Sequence, residues 1–468
     1  MNGLDKLSRE DLIALVLEMG QELALLRQEV EMLRSQLRGP GPDNGLPPFV
    51  KPNRPKRPRE EGKPRKKREQ AFTRKREEPT EEILHAVECC PDCGRKLEGG
   101  WEHSRHQVIE LPAAPIRIID HVLLRRRCGI CQKEFLPRLG PAEGVLGQCR
   151  VGPRLMSQVA GLVTDYRLPR GGVQRLLESH YGLHLARGEV TGILHRVADR
   201  GRDAVDALLR EVRNAPFVHA DETGWREDGI NGYLWSFSTP TVRYFYRDQS
   251  RGGKIARGVL LGQWEQADGS LVQEECEPFR GVLICDFYSG YSWYDGPIQR
   301  CWDHLCRELK DLKKEHAANA SVVAWVDSVF KVYAKAKEVA ARNHREEERR
   351  AWRRRLEAEL REIARPHLAD EAAPQQTLAA RIERFQSELF VFVQYSGVPS
   401  GNNPAERALR PTVIARKVSG GTRSAKGSDT MAALRTLFGT WTLRGIDTLQ
   451  ACFDLLIGTP PVARAAPT

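Results

Sequence analysis

The chain has 468 residues, 40% of them hydrophobic, which is enough for a large buried core, and its length suits roughly three domains. Its formal net charge of +11 is uneven: residues 51–79 hold 13 Lys or Arg against 5 Asp or Glu, leaving only +3 for the rest. That pattern excludes a uniformly basic surface and describes a folded body with a basic tether suited to a polyanion.

The N-terminus is polar, and its longest apolar run, Leu12 to Leu17, is bounded by Asp11 and Glu18. It falls far short of the ~20 residues of a spanning helix, so no membrane association is expected and the chain is expected in the cytoplasm. Its eleven cysteines should then be reduced and available to a metal.

Residues 8–38 carry a heptad stripe, with Leu12, Met19, Leu26 and Leu33 on one position and Val16, Leu23, Val30 and Leu37 on the other. Ser8 and Asp11 open it and Gly39-Pro40 closes it. The seam predicts a short parallel coiled coil and hence a homo-oligomer; a helix docked on its own protein is the alternative. Residues 39–79, rich in Pro, Gly, Lys and Arg, cannot build a core and read as a disordered linker. Its work is either phosphate attraction or plain solubility.

Cys90-Pro-Asp-Cys93 and Cys128-Gly-Ile-Cys131 follow, separated by 34 residues. Two such knuckles can offer four thiolates to one structural Zn²⁺, with the alternating segment Ile116 to Leu124 supplying strands between them. Cys89 is a competing ligand, and a redox role is the other reading. Residues 151–200 then read as short helices, including a pair over about Gly171 to His180 and Gly188 to Val197 with Gly182 in the turn. Arg187 flanks the second of these, a helix-turn-helix-like arrangement that either reads DNA or merely connects.

The stretch Phe217 to Asp221 predicts a short apolar strand running into the adjacent acids Asp221 and Glu222 and a Thr-Gly turn. Strands from Gly232 to Thr239 and Val242 to Tyr246 complete an antiparallel meander. Sixty-five positions after Asp221, Gly281-Val-Leu-Ile-Cys-Asp286 is a buried strand ending in a second carboxylate. Two acids on neighbouring strands repel unless a cation lies between them, and Mg²⁺ suits carboxylates that share it with a phosphate. Period-two alternation puts Asp221 on the face of Phe217 and His219, and Glu222 on the other. A third acid, Glu406, lies in Asn402-Asn403-Pro-Ala-Glu406-Arg. With Asn403 as N-cap it fits a capping box, a purely structural reading.

Taken together, His219-Ala-Asp221-Glu-Thr-Gly-Trp, Asp286-Phe-Tyr-Ser-Gly-Tyr, Arg300-Cys-Trp-Asp-His304, Asn402-Asn-Pro-Ala-Glu406-Arg-Ala-Leu-Arg410-Pro and Arg416-Lys-Val-Ser-Gly-Gly-Thr-Arg423 resemble the insertion-sequence-66 family of bacterial DDE transposases. The resemblance covers nearly the whole chain in the family's order and fades toward the C-terminus. It implies a multidomain α/β protein whose RNase H-like catalytic domain, 213–425, carries a helical insertion at about 307–395. Before that domain come a coiled-coil oligomerisation helix at 1–38, the basic linker at 39–79, a small zinc-ribbon-like module at 80–140 and a helical, helix-turn-helix-like DNA-binding region at 141–212. A C-terminal helical tail, 426–468, follows it.

It further implies that Asp221, Asp286 and Glu406 form the catalytic triad and hold two Mg²⁺, for which Mn²⁺ substitutes. Arg410, Arg416, Lys417 and Arg423 would hold DNA phosphates. Cys301 and His304, a Cys-x-x-His element seen in several such enzymes, would handle a strand or simply pack a helix. The implied partners are double-stranded transposon-end and target DNA, a second copy of the chain, and accessory proteins of the same element, at the nucleoid. Rival functions are a catalytically silent DNA-binding relative and a structure-selective nuclease on the same fold.

Overall fold

The structure, a computed structural model, describes residues 78–109, 116–266 and 268–459. The expected coiled coil at 1–38 and nearly all of the basic linker lie outside them. The chain divides into two compact units, Met1–Leu111 and Pro112–Thr468.

In the first unit the Cys90–Cys93 knuckle is a tight turn. The Cys90 N–H bonds to the Arg95 carbonyl at 2.9 Å and the Gly94 N–H to the Cys90 carbonyl at 2.8 Å. Gly94 takes the left-handed φ of 69° that closes it. The second unit builds the same turn at Cys128–Cys131, with Cys128 N–H to Lys133 carbonyl at 2.9 Å, Gln132 N–H to Cys128 carbonyl at 3.0 Å, and Gln132 at φ 57°. Short strands β1 (Arg126–Arg127) and β2 (Glu134–Phe135) flank this knuckle in antiparallel register. Residues 116–124, expected as strands, form none. Ile118, Val122 and Leu124 are exposed, so the alternating pattern here has no sheet face to bury.

Four helices come next: α1 (Pro153–Thr164), α2 (Arg170–Tyr181), α3 (Arg187–Arg200) and α4 (Arg202–Arg213). Gly182 ends α2 with a left-handed φ of 64°, as its place in the turn requires. The central sheet uses β3 (Phe217–Glu227), β4 (Ile230–Ser238) and β5 (Arg243–Asp248). Helix α5 (Lys254–Leu261) and the small pair β6 (Gln263–Glu265) and β7 (Leu271–Gln273) precede its last strands, β8 (Val282–Cys285) and β9 (Ile298–Arg300). The strand order is β5-β4-β3-β8-β9, antiparallel through β3 and parallel from β3 to β9.

The first strand runs past its expected end at Asp221. Thr223 and Gly224 are not a turn; they pair with Leu234 and Tyr233. The hairpin turns instead at Asp228-Gly229, with φ of 50° and 81°, the Asp-Gly pair that a two-residue hairpin favours.

Five helices stand between β9 and the next long helix: α6 (Trp302–Glu315), α7 (Ala320–Ala341), α8 (Glu346–Ala364), α9 (Gln376–Leu389) and α10 (Val391–Gln394). Then come α11 (Asn403–Ser419), α12 (Ala425–Leu443) and α13 (Thr448–Ile457). Side chains alternate along the strands and set the two largest core clusters on opposite faces of the sheet. Val218, Ala220, Trp235, Phe237, Leu283 and Cys285 face a cluster that includes α1, α3, α12 and α13. Val282 and Ile284 face the inserted helices. Residues 153–213 and 425–457 therefore share the core of the central sheet rather than standing apart as a separate region and a tail. Each large apolar side chain buried there contributes about 1.5–3 kcal/mol.

Candidate active site

Parallel pairing of β3 with β8 matches Phe217 with Val282, Val218 with Leu283 and His219 with Ile284. Continuing that register by two residues sets Asp221 level with Asp286, on neighbouring strands about 5 Å apart. Asp286 follows the fully buried Val282–Cys285 run, and its carboxylate accepts the Tyr288 N–H at 2.9 Å in a local turn. Asp221 accepts the N–H of Glu222 at 2.9 Å.

Burial pushes the Asp221 carboxyl up from 3.8 to about 7, and the charges of Glu222, Asp286 and Glu406 push the same way. On folding, Asp221 takes up a proton anywhere between those two values, so the metal-free protein loses stability as pH rises from about 4 to 7. Asp221→Asn removes that cost. The metal-free variant should be more stable than the wild type at pH 8 by roughly 1–3 kcal/mol, with no gain below pH 4. Urea unfolding in EDTA at both pH values checks this, and an unchanged or lower stability at pH 8 would contradict it.

Glu406 comes from α11. The helix is capped by Asn402 rather than Asn403, and no side-chain capping bond is made. Glu406 thus lies at the fourth helical position, beyond capping-box geometry, so that reading is set aside. Its Oε1 stands 3.5 Å from His304 Nε2 and 3.8 Å from the Arg307 guanidinium, and is buried without a hydrogen bond.

Asn402 ties these parts together. It is fully buried; its N–H meets the Cys301 sulfur at 3.0 Å, its side-chain amide donates to the Ala220 carbonyl at 2.8 Å, and its Oδ1 lies 3.1 Å from His219 Nδ1. With Oδ1 as acceptor, His219 carries its proton on Nδ1. Burial holds the imidazole down at about 4, so it stays neutral. Cys301 accepts a bond at the start of α6, and burial pushes its thiol up to about 11.

Glu222 points to the opposite face, where Arg251 Nε and the Tyr291 hydroxyl each donate to it at 2.8 Å. The two adjacent acids therefore have separate surroundings, as the alternation predicted. Among the described residues, no three His, Cys, Asp or Glu side chains converge as ligands of one metal ion. The acids load one another electrically without closing into a ligand set. Even so, the orphaned Glu406 oxygen and the elevated Asp221 carboxyl are what a cation would relieve.

A family model described as Transposase IS66 family matches residues 148–430. The chain belongs to that family. Two curated relatives come from Sinorhizobium fredii (strain NBRC 101917 / NGR234). One, uncharacterized protein y4qI, is 26% identical over 269 residues, 52% of this chain and 48% of that protein. The other, uncharacterized protein y4jD, is 22% identical over 403 residues, 78% of this chain and 74% of that protein. The chain thus spans about half the length of the first and three quarters of the second. No helix among the described residues is long and apolar enough to cross a membrane.

In this IS66-family chain the basic residues after Glu406 have different surroundings. Arg410 and Lys417 are exposed on α11, and Arg423 is exposed in the loop beyond it. Arg416 is engaged instead with the Gly224 carbonyl, fastening α11 to β3. The Gly420-Gly421-Thr422 loop is zipped to the same strand: Thr422 N–H donates to the Arg226 carbonyl and Asp228 N–H to the Thr422 carbonyl. Gly421, at φ 106°, leaves no room for a Cβ against Arg226. Arg187 is exposed at the first position of α3. Asn402 and Arg300 give no sequence signal of their roles, because neither has a spacing that marks a buried hydrogen-bonding hub.

Proposed function

We propose that this chain is a DDE transposase that cuts transposon ends and joins them to target DNA, with Asp221, Asp286 and Glu406 as its catalytic carboxylates. The strand order β5-β4-β3-β8-β9 is that of an RNase H-like fold and supports the reading. The observation that carries it is the strand register: Asp221 and Asp286 stand level on adjacent parallel strands, and α11 brings Glu406 to the same sheet face. The three acids would hold Mg²⁺, or Mn²⁺ in its place; when bound, the ions activate the attacking hydroxyl and stabilise the leaving oxygen. Asn402 fixes the strand and helix that present two of the acids, and Arg410, Lys417 and Arg423 hold phosphates nearby. Helices α2 and α3, with Arg187, bind end DNA. Copies of the chain join as a homo-oligomer, and proteins of the same element assist at the nucleoid.

Cys90, Cys93, Cys128 and Cys131 would hold one structural Zn²⁺. In each knuckle the first thiol is lowered by backbone N–H groups of the second cysteine and the residue before it, which favours the thiolate that zinc takes. Purified protein should hold about one zinc per chain. Chelation, or Cys90→Ala or Cys128→Ala, should release it and open residues around both knuckles to protease, while 153–459 stays protected. Zinc-free protein with unchanged proteolysis would rule this out.

The function itself is tested with labelled transposon-end DNA, a target plasmid and Mg²⁺. Joined product supports the transposase; cutting without joining favours a nuclease, and binding alone a silent relative.

A further inference from the structure

Arg300 ends β9 and is fully buried, an expensive place for a guanidinium unless it is paired. Its NH1 donates to the Asp286 carbonyl at 2.8 Å and to the Tyr288 carbonyl at 3.1 Å. Its Nε pairs with Glu388 on α9 at 2.5 Å, and the guanidinium lies 4.7 Å from the Phe385 ring of the same helix. Both carbonyls belong to the loop that presents Asp286, and the Tyr288 N–H of that loop orients the Asp286 carboxylate. Phe287, between them, packs edge-on against Phe385 at 5.5 Å. The inserted helices thus reach the second acid through one buried charge.

We infer that Arg300 and Glu388 are a positioning pair through which the helical insertion sets the geometry of Asp286 and hence the metal affinity of the site. This rests on the metal-binding part of the proposed function. The pair does not touch the reacting atoms. It holds the backbone on which Asp286 is mounted, much as outer hydrogen bonds orient the ligands of other metal sites. The insertion is then part of the active-site scaffold.

The test titrates the full chain with Mn²⁺ alone, following free Mn²⁺ by electron paramagnetic resonance, alongside the melting temperature and end-DNA binding. Glu388→Gln leaves a neutral partner of the same shape at a part-exposed position, so the chain should fold. Arg300→Lys keeps the charge but has a single nitrogen, which cannot hold the two carbonyls and Glu388 together as NH1 and Nε do. Each should weaken Mn²⁺ binding about tenfold with end-DNA affinity unchanged. The control is Asp327→Asn, which breaks a different ion pair of the insertion, Lys313–Asp327; it should leave Mn²⁺ binding as in the wild type. Wild-type Mn²⁺ affinity in Glu388→Gln, or an equal loss in the control, would overturn the inference. A wild type that binds no Mn²⁺ would overturn the metal site and the inference together. Absence of joined product from a chain that binds Mn²⁺ normally would count against the transposase reading alone.

Discussion

Asp221→Asn, Asp286→Asn and Glu406→Gln should each lower strand transfer by at least about 10³-fold while leaving end-DNA binding within a factor of about two, because under the proposed function each removes a charge from the site that would stabilise phosphoryl transfer. The useful contrast is Glu222→Gln. Glu222 adjoins Asp221 in sequence but bonds to Arg251 and Tyr291 on the other sheet face, so its loss should cost only about tenfold. Gel-resolved joined product with labelled end DNA measures all four. Equal losses at Asp221 and Glu222 would undo the assignment of separate roles.

Asn402→Ala should be the most damaging change outside the acids. It strips both side-chain bonds from a fully buried residue and leaves the Ala220 carbonyl and the His219 Nδ1–H without those partners. Unsatisfied buried groups cost about 1–3 kcal/mol each, so the variant should lose about 2–5 kcal/mol of stability. Activity should fall further than unfolding explains, by about 100-fold even where the variant is fully folded. Asn402 joins the strand of Asp221 to the helix of Glu406, and a misplacement of about 1 Å has that effect. Urea unfolding and strand transfer, both well below the melting temperature, separate the two losses. A folded variant with wild-type activity would show that the hub does not position the acids.

Much of the sheet could be read directly from the chain. Continuous apolar runs such as Val282–Cys285 announce strands covered on both faces, and alternation correctly separated Asp221 from Glu222. The hairpin was misplaced because Thr223-Gly224 resembles a turn, although the stronger signal, Asp228-Gly229, lies a few residues on. Cap chemistry misled at Glu406: two consecutive asparagines precede Pro404, and the first is the cap because its side chain is drawn into the core by Ala220 and His219. Such a choice depends on residues about 180 positions away. The same distance hid the roles of α12 and α13, whose apolar residues meet helices from the other end of the chain, and of the Arg300–Glu388 pair. Local patterns report periodicity; they do not report which buried polar group another element satisfies.

The most direct test of a divalent-metal site shared by Asp221, Asp286 and Glu406 is Fe²⁺-directed cleavage of the polypeptide with ascorbate and peroxide. Iron bound in place of Mg²⁺ should cut the chain near residues 221, 286 and 406, and excess Mg²⁺ or Asp221→Asn should suppress all three cuts together. Cuts at one of these places only, or none that Mg²⁺ suppresses, would contradict the shared site.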